Sequence, residues 1–381
     1  ESDGRLLELQ QGLIYNSGNV LIKYRFEKNP EKPEMGKEWS EVELKNLSIK
    51  YQDPLRVFKG LRGKLYYGKN KIRLENVAGF YGDSPLFLEG EIDRTSRSDP
   101  QFSLQLKLPE LLKADLRNIP IFSDFNYSGL ANISININGT PRNIKFEQQA
   151  DLTTTEYEVP SLIQKKENIL NQFKAKGTFS GKDGLNIDNW VYQLGGNKIS
   201  GSIKIPNLDN PNFVVKLESE EFKGDASYQL FKSWTAGGHI DFVIYGEGNL
   251  NNLKNSDLEG KINLVNLKIK PEKISSDLTL NAKLRFKENR FDIRSANVSL
   301  ADSNFNFSGI YERSDAPNLE IKLTGKKLDI NELIEDSQQK DVKVLDFFTK
   351  TDFFKKAKGQ ILFVVGQLHF RMLQLNNAKG K

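Results

Sequence analysis

Alternation of apolar and polar residues dominates the chain. Ile133, Ile135 and Ile137 alternate with Ser134, Asn136 and Asn138. Leu278, Leu280, Ala282, Leu284 and Phe286 alternate in the same way with Thr279, Asn281, Lys283 and Arg285. A period of two sends successive side chains to opposite faces of a strand. One apolar and one polar face is the mark of antiparallel sheet. Turn signals such as Gly68-Lys69-Asn70, Gly181-Lys182-Asp183-Gly184 and Lys287-Glu288-Asn289 separate the strands. Two segments carry helical spacing instead. They are Ser161 to Phe173, with Leu162, Ile163, Ile169, Leu170 and Phe173 on one side, and Val342 to Phe354. Glu27 to Lys37, rich in Pro, Glu and Lys, predicts a mobile loop.

The alternation recurs in phrases. IRLENVAGFYGDSPLFLEG (Ile72 to Gly90), LNIDNWVYQLGGNKISG (Leu185 to Gly201) and FDIRSANVSLADSNFNFSG (Phe291 to Gly309) share one order of features. Each has an apolar-x-apolar pair, a small or polar turn, and an apolar run ending in glycine. Ser84, Asn197 and Ser303 fall at matched distances from Leu74, Ile187 and Ile293. The phrases lie roughly 110 residues apart, beyond the usual period of a repeat array. Their flanks match as well. Asp99-Pro100, Asn210-Pro211 and Ala316-Pro317 each precede a period-two strand. Short segments of helical character follow, LPELLKADL, GDASYQLFKSW and LDINELIEDS, and then strand pairs led by Gly129, Gly237 and Gly359. The pattern predicts a strand-rich segment with a mobile loop over 1–60, repeats over 61–170 and 171–280, and an incomplete repeat over 281–381, in one continuous elongated array. The fold class expected is mainly β: a curled, twisted antiparallel β-groove with a few short amphipathic helices.

A long sheet with one apolar face must cover that face. A sandwich does so with side chains filling a gap of about 10 Å, whereas a wider gap needs guest molecules. A sustained apolar row suits lipid acyl chains, because each buried CH₂ contributes roughly 0.8 kcal/mol without any specific contact. The other reading of the same pattern is an ordinary dry β core. The candidate groove-lining residues are Phe102, Leu104 and Leu106; Ile133, Ile135 and Ile137; Phe213, Val215 and Leu217; Leu278, Leu280 and Leu284; Phe305 and Phe307; and Leu319, Ile321 and Leu323.

Charge narrows the partners. The 381 residues hold 55 Lys and Arg against 50 Asp and Glu, a net charge of +5 spread along the chain. No basic block marks a nucleic-acid arm, so no nucleic acid is expected as a partner. Cysteine is absent, which excludes a disulfide framework and thiolate metal sites. No apolar run approaches the roughly 18 residues of a membrane-spanning helix, and the longest, Ile361 to Val365, is strand-sized. A chain beginning at Glu1 without methionine or signal peptide suggests a processed product or a piece of something longer.

Catalytic constellations do not emerge. The two histidines, His239 and His369, stand in separate strand-like contexts and read as surface or groove-edge residues, since a metal site wants clustered ligands. No HExxH, GxSxG or Walker phrase occurs, and Gly246-Glu247-Gly248-Asn249 lacks the helix of a phosphate loop. Carboxylate pairs such as Glu220/Glu221 and Asp83/Glu89 read as solvated faces. Asn132-Ile133-Ser134 and Asn306-Phe307-Ser308 match the glycosylation sequon by chance in an Asn-rich chain. An enzyme is not expected, nor a cofactor or metal. One aromatic stretch stands out: Phe347, Phe348, Phe353 and Phe354, beside Lys355, Lys356 and Lys358, are candidates for membrane or partner contact. A helix packed over the end of the groove fits the same residues.

The strand, small-residue turn and strand-Gly phrases ending at Gly90, Gly201 and Gly309 resemble those of the AsmA-like superfamily of diderm bacteria, which includes the TamB-like and YhdP-like proteins. Leu328-Asp329-Ile330-Asn331-Glu332-Leu333 looks like the family's "LDL-x-x-L" phrase, and Ile137-Asn138-Gly139-Thr140-Pro141 resembles its turn between repeats. The likeness covers most of Leu61 to Lys381. The chain departs from the family in showing neither an N-terminal membrane helix nor a clear terminal domain. The resemblance implies a long twisted β-groove in the periplasm, anchored in the inner membrane by a segment absent from this chain, that carries phospholipid toward the outer membrane. Its implied partners are phospholipid, the two membranes and membrane-embedded proteins. TamB-like members also suggest a scaffold in outer-membrane protein assembly, templating strands on exposed sheet edges. A β-solenoid adhesin or polysaccharide-binding protein is a third reading; it calls for outward aromatic rows, and the chain has only 3 Trp.

Overall fold

The computed structural model describes residues 13–27, 37–51, 56–96, 98–116, 127–159, 163–224, 228–230, 237–269, 278–314, 317–329, 358–370 and 373–380. The chain is mainly β. Twenty strands belong to one large, predominantly antiparallel sheet that does not close on itself. The helices among the described residues are a single turn, α1 (Lys113–Leu116), and a 3₁₀ segment, Leu250–Asn255.

Two compact units divide the chain. The first holds β1 (Leu13–Glu27), β2 (Lys37–Tyr51), β3 (Arg56–Gly68), β4 (Lys71–Tyr81), β5 (Ser84–Asp93), β6 (Gln101–Leu111), β7 (Tyr127–Ser128), β8 (Ala131–Thr140), β9 (Asn143–Asp151), β10 (Glu156–Val159), the last residue of β11 (Ile163–Lys165), β12 (Asn171–Ser180) and β13 (Gly184–Leu194). Strands β1 to β6, then β8, β9, β12 and β13, pair antiparallel each with the next. Short β7 pairs with β10. The second unit takes in most of β14 (Asn197–Ile205), then β15 (Asn212–Lys223), β16 (Tyr228–Leu230), β17 (His239–Asn249), β18 (Asp257–Ile269), β19 (Leu278–Lys287), β20 (Arg290–Leu300), β21 (Ser303–Glu312), β22 (Asn318–Asp329), β23 (Lys358–Phe370) and β24 (Leu373–Gly380). Strands β15, β17 and onward to β22 pair antiparallel in chain order. Strand β23 then joins β22 in parallel, and β24 closes the series antiparallel to β23.

Bulges explain where the sequence alternation slips. Leu264 pairs with Ala282 and Leu267 with Leu280, so Leu264 and Leu267 share a face although three positions apart. Asn266 makes the slip by taking φ +49, a left-handed conformation that asparagine tolerates well. Glu221 does the same on β15, also with φ +49. In both bulges the neighbouring strand satisfies the displaced N–H: Asp241 accepts from Glu221 N at 2.8 Å, and Asn281 accepts from Asn266 N at 2.8 Å. Such bulges increase local twist while keeping apolar side chains on one face.

A buried cluster lies in each unit. In the first unit Leu44, Leu61, Val77, Tyr81, Leu86, Leu111 and Ala131 pack together. In the second, Val298, Phe305, Leu328 and Val365 do so.

The helix expected over Ser161 to Phe173 is not formed. The segment enters β11, turns at Asn168 with φ +63, and continues as β12 from Asn171. Its cause is local. Lys165, fully buried, donates from Nζ to the carbonyls of Leu152 and Thr153, both at 2.9 Å, and to that of Thr155. LPELLKADL is likewise strand to Leu111, with helix only in α1. In GDASYQLFKSW the described Tyr228–Leu230 is strand. The helix expected over Val342 to Phe354 and most of the Glu27 to Lys37 loop lie outside the described residues.

Candidate functional site

Register assembles the candidate residues into a single apolar face in each unit. Side chains of directly paired residues share a face. In the first unit one row runs Ile22, Val42, Leu65, Leu74, Gly90, Leu104, Ile137, Phe146, Gly177, Ile187, one residue from each of ten consecutive strands. Phe102 lies beside Ile92 and Gly139, and Leu106 beside Leu88 and Ile135. Leu106 and Ile133 also pack onto the first buried cluster. Most of these side chains are half-buried: they cover one another along the sheet.

The second unit repeats the arrangement on nine strands. Phe222, Ile240, Leu264, Ala282, Ala296, Phe307, Leu323, Phe363 and Gly380 form an unbroken row from β15 to β24. Leu217 lies beside Ile244, Val215 beside Gly246, and Phe213 beside Gly248. Leu284 and Ile321 belong to a parallel row with Ile293 and Gly309, and Leu319 lies beside Tyr311. Leu278, Leu280, Phe305 and Phe307 belong to or pack on the second buried cluster. All seventeen candidates therefore fall on the apolar faces. Phe347, Phe348, Phe353 and Phe354 lie outside the described residues.

Two glycines on these apolar faces, Gly177 and Gly260, escaped the sequence reading. At Gly177 an added Cβ would come within 2.9 Å of Phe146 Cζ, and at Gly260 within 2.9 Å of Phe286 Cζ. Each glycine thus receives a ring from its cross-strand partner, an arrangement that compensates a strand for the missing side chain. Glycine opposite phenylalanine on adjacent apolar strands was the available signal.

The opposite face is polar and laced with cross-strand pairs. Lys71 meets Glu91 at 3.3 Å, Lys176 meets Glu147 at 2.9 Å, and Arg290 meets Glu312 at 2.6 Å. Gln105 donates to Asn136 at 3.0 Å, and Asn297 to Asn304 and Asn306 at 3.1 and 3.0 Å. The carboxylates singled out in the sequence are used here: Asp83 pairs with Lys59, Glu89 with Lys107, and Glu221 with Lys223. His239 Nε2 lies 3.8 Å from Asp241, and His369 Nδ1 lies 3.6 Å from Asp329. Burial pulls the Asp241 carboxyl upward. Hydrogen bonds from Glu221 N and Asn263, with His239 nearby, outweigh that and hold it below the usual carboxylate range. Among the described residues no group of three or more His, Cys, Asp or Glu is placed to hold a metal. Among the described residues no helix is long and apolar enough to cross a membrane.

The matched turn residues share a task. Ser84, Asn197 and Ser303 are all essentially buried, at 0%, 3% and 1% exposure. Each binds backbone at the end of the strand that follows its own. Ser84 Oγ accepts from Leu112 N at 2.9 Å, Asn197 Oδ1 from Lys223 N at 2.7 Å, and Ser303 Oγ from Asp329 N at 2.8 Å.

No protein-family model, curated protein or solved structure matches this chain.

Proposed function

We propose that this chain is a non-catalytic carrier of phospholipid, in which the apolar face lines a groove built from recurring modules and hydrocarbon tails move along it through the periplasm between inner and outer membrane. One observation carries the proposal: an apolar row crosses ten paired strands in the first unit and nine in the second without a charged residue. At roughly 4.8 Å per strand, nine steps in the first unit give a track on the order of 40 Å. Binding needs no specific contact, because the affinity comes from area removed from water. The absence of directional bonds leaves no preferred stopping point, so a tail is held and yet free to slide. Recurrence of the buried turn residue at Ser84, Asn197 and Ser303 supports the modular reading, and the AsmA-like phrases agree with it.

Photocrosslinking residues placed singly at Leu104 and Ile321, with Ser103 and Lys322 as polar-face controls, test this proposal on the purified chain. Phospholipid captured at the first pair and not at the second is the expected result. Equal capture on both faces, or none on either, would refute it.

A second function, templating strands of outer-membrane proteins, is favoured by β24. Among the described residues it pairs with β23 alone, and it exposes Leu373 at 54% and Leu375 at 42%. An unpaired edge of this kind accepts an added strand. A crosslinker at Leu375 that captures protein, with no lipid on the apolar face, would favour templating.

A further inference from the structure

Charge pairing on the polar face breaks down at one place in the second unit. Lys261 on β18 stands directly across from Arg285 on β19. Lys283 is two positions from Arg285 on the same strand face, and its partner on β20, Ser295, adjoins Arg294 at a bulge. Among the described residues none of these four cations is within ion-pair distance of a carboxylate, although Arg285 has Asp292 across from it on β20, whereas cations elsewhere on this face close such pairs. Like charges directly opposite one another destabilise a sheet; Asp292, across from Arg285 on β20, is one carboxylate against the four cations and offsets only part of their repulsion.

All four line one open depression of about 950 Å³. Acidic residues line it too, but most are already engaged. Glu218 pairs with Lys216 at 2.6 Å and Glu221 with Lys223 at 3.3 Å, while Asp241 holds Glu221 N and Asn263. The acids come from β15 and β17 and these four cations from β18 to β20, while Lys198 of β14 lines the acidic side.

We infer that this depression is a binding site for a phosphate-bearing ligand, held by Lys261, Lys283, Arg285 and Arg294. A phosphate group offers several acceptor oxygens and up to two negative charges. Guanidinium groups at Arg285 and Arg294 match such oxygens as two-pronged donors, and the lysines add point charges. The site is open to water, so binding weakens as salt rises. It lies on the polar face and does not depend on what the apolar face carries.

The test uses the full chain with two probes: pyrophosphate followed by calorimetry, and flotation with phosphatidylglycerol vesicles against phosphatidylcholine vesicles. The variant Lys261→Gln with Arg285→Gln is compared with Lys71→Gln and Lys176→Gln, which removes the same charge from ion-paired positions in the first unit. Binding of at least one probe is expected, weakened tenfold or more in the first variant and less than twofold in the second. Pyrophosphate binding alone assigns a soluble phosphorylated ligand. Binding to phosphatidylglycerol vesicles that pyrophosphate does not displace assigns a lipid headgroup. Failure of both probes, or equal loss in the two variants, overturns the site.

Discussion

Ser303 Oγ accepts a hydrogen bond of 2.8 Å from the backbone N–H of Asp329, tying a buried hairpin turn to the end of the strand beyond it. Ser84 with Leu112 and Asn197 with Lys223 make the same tie. The position is buried, so an apolar replacement leaves an amide with no partner. Leaving a buried donor unsatisfied costs about 1–3 kcal/mol. Ser303→Ala and Asn197→Ala are each expected to lower unfolding stability by that amount in urea denaturation. A loss below the error of the measurement would show that the tie is incidental.

Ile135→Asp combined with Val215→Asp places one charge in the apolar face of each unit. Both positions are half-buried, with Ile135 beside Leu106 and Gln148 and Val215 beside Gly246. The carboxylates can therefore reach water, and the fold is expected to survive with its far-ultraviolet dichroism unchanged. Captured phospholipid is expected to fall several-fold. Unchanged capture would exclude these faces as the lipid path.

Gly260→Ala drives a methyl group against the Phe286 ring and the Val243 carbonyl, 2.9 and 2.6 Å from the added Cβ. Overpacking of this kind costs about 1–3 kcal/mol. Gly181→Ala meets no atom within 4 Å and serves as the control. Thermal melts should separate the two, with Gly181→Ala at or slightly above the parent.

Acid should weaken the second unit through Asp241. Its carboxyl sits lower in the fold than the ordinary value of 3.8. Stability from a depressed carboxyl is complete above the unfolded value and is lost as pH falls through the folded one. Asp241→Asn should therefore lose stability at neutral pH and show a shallower decline below about pH 4. An acid limb as steep as the parent's would remove Asp241 from the account.

Strand positions were legible because alternation reports which face a side chain takes. Ile133, Ile135 and Ile137 lie on one face of β8, as their spacing predicts. Less legible was the slip at Asn266, because a bulge resets the phase without changing composition. The helix expected at Ser161 to Phe173 failed for a different reason. Apolar spacing outweighed Lys166-Glu167-Asn168, the same tripeptide as Lys287-Glu288-Asn289, where a turn was expected and is found. Nothing in the residues announced that Lys165 would be buried by three carbonyls. The seventeen lining candidates share their faces because period two is preserved. The cation cluster stayed hidden, since Lys261 and Arg285 become opposite only through strand register.

Consecutive hairpins let a sheet zip up as the chain emerges, each strand meeting one that has just formed. The parallel seam between β22 and β23 is different: Asn318 meets Lys358, and Asp329 meets His369. Between those contacts the chain must travel back along the full length of β22 before any hydrogen bond of the seam can form. Long loops closed for non-local pairing make slow steps. The last two strands are therefore the late joiners in assembly, and the first to peel away when the molecule is pulled from its C-terminal end.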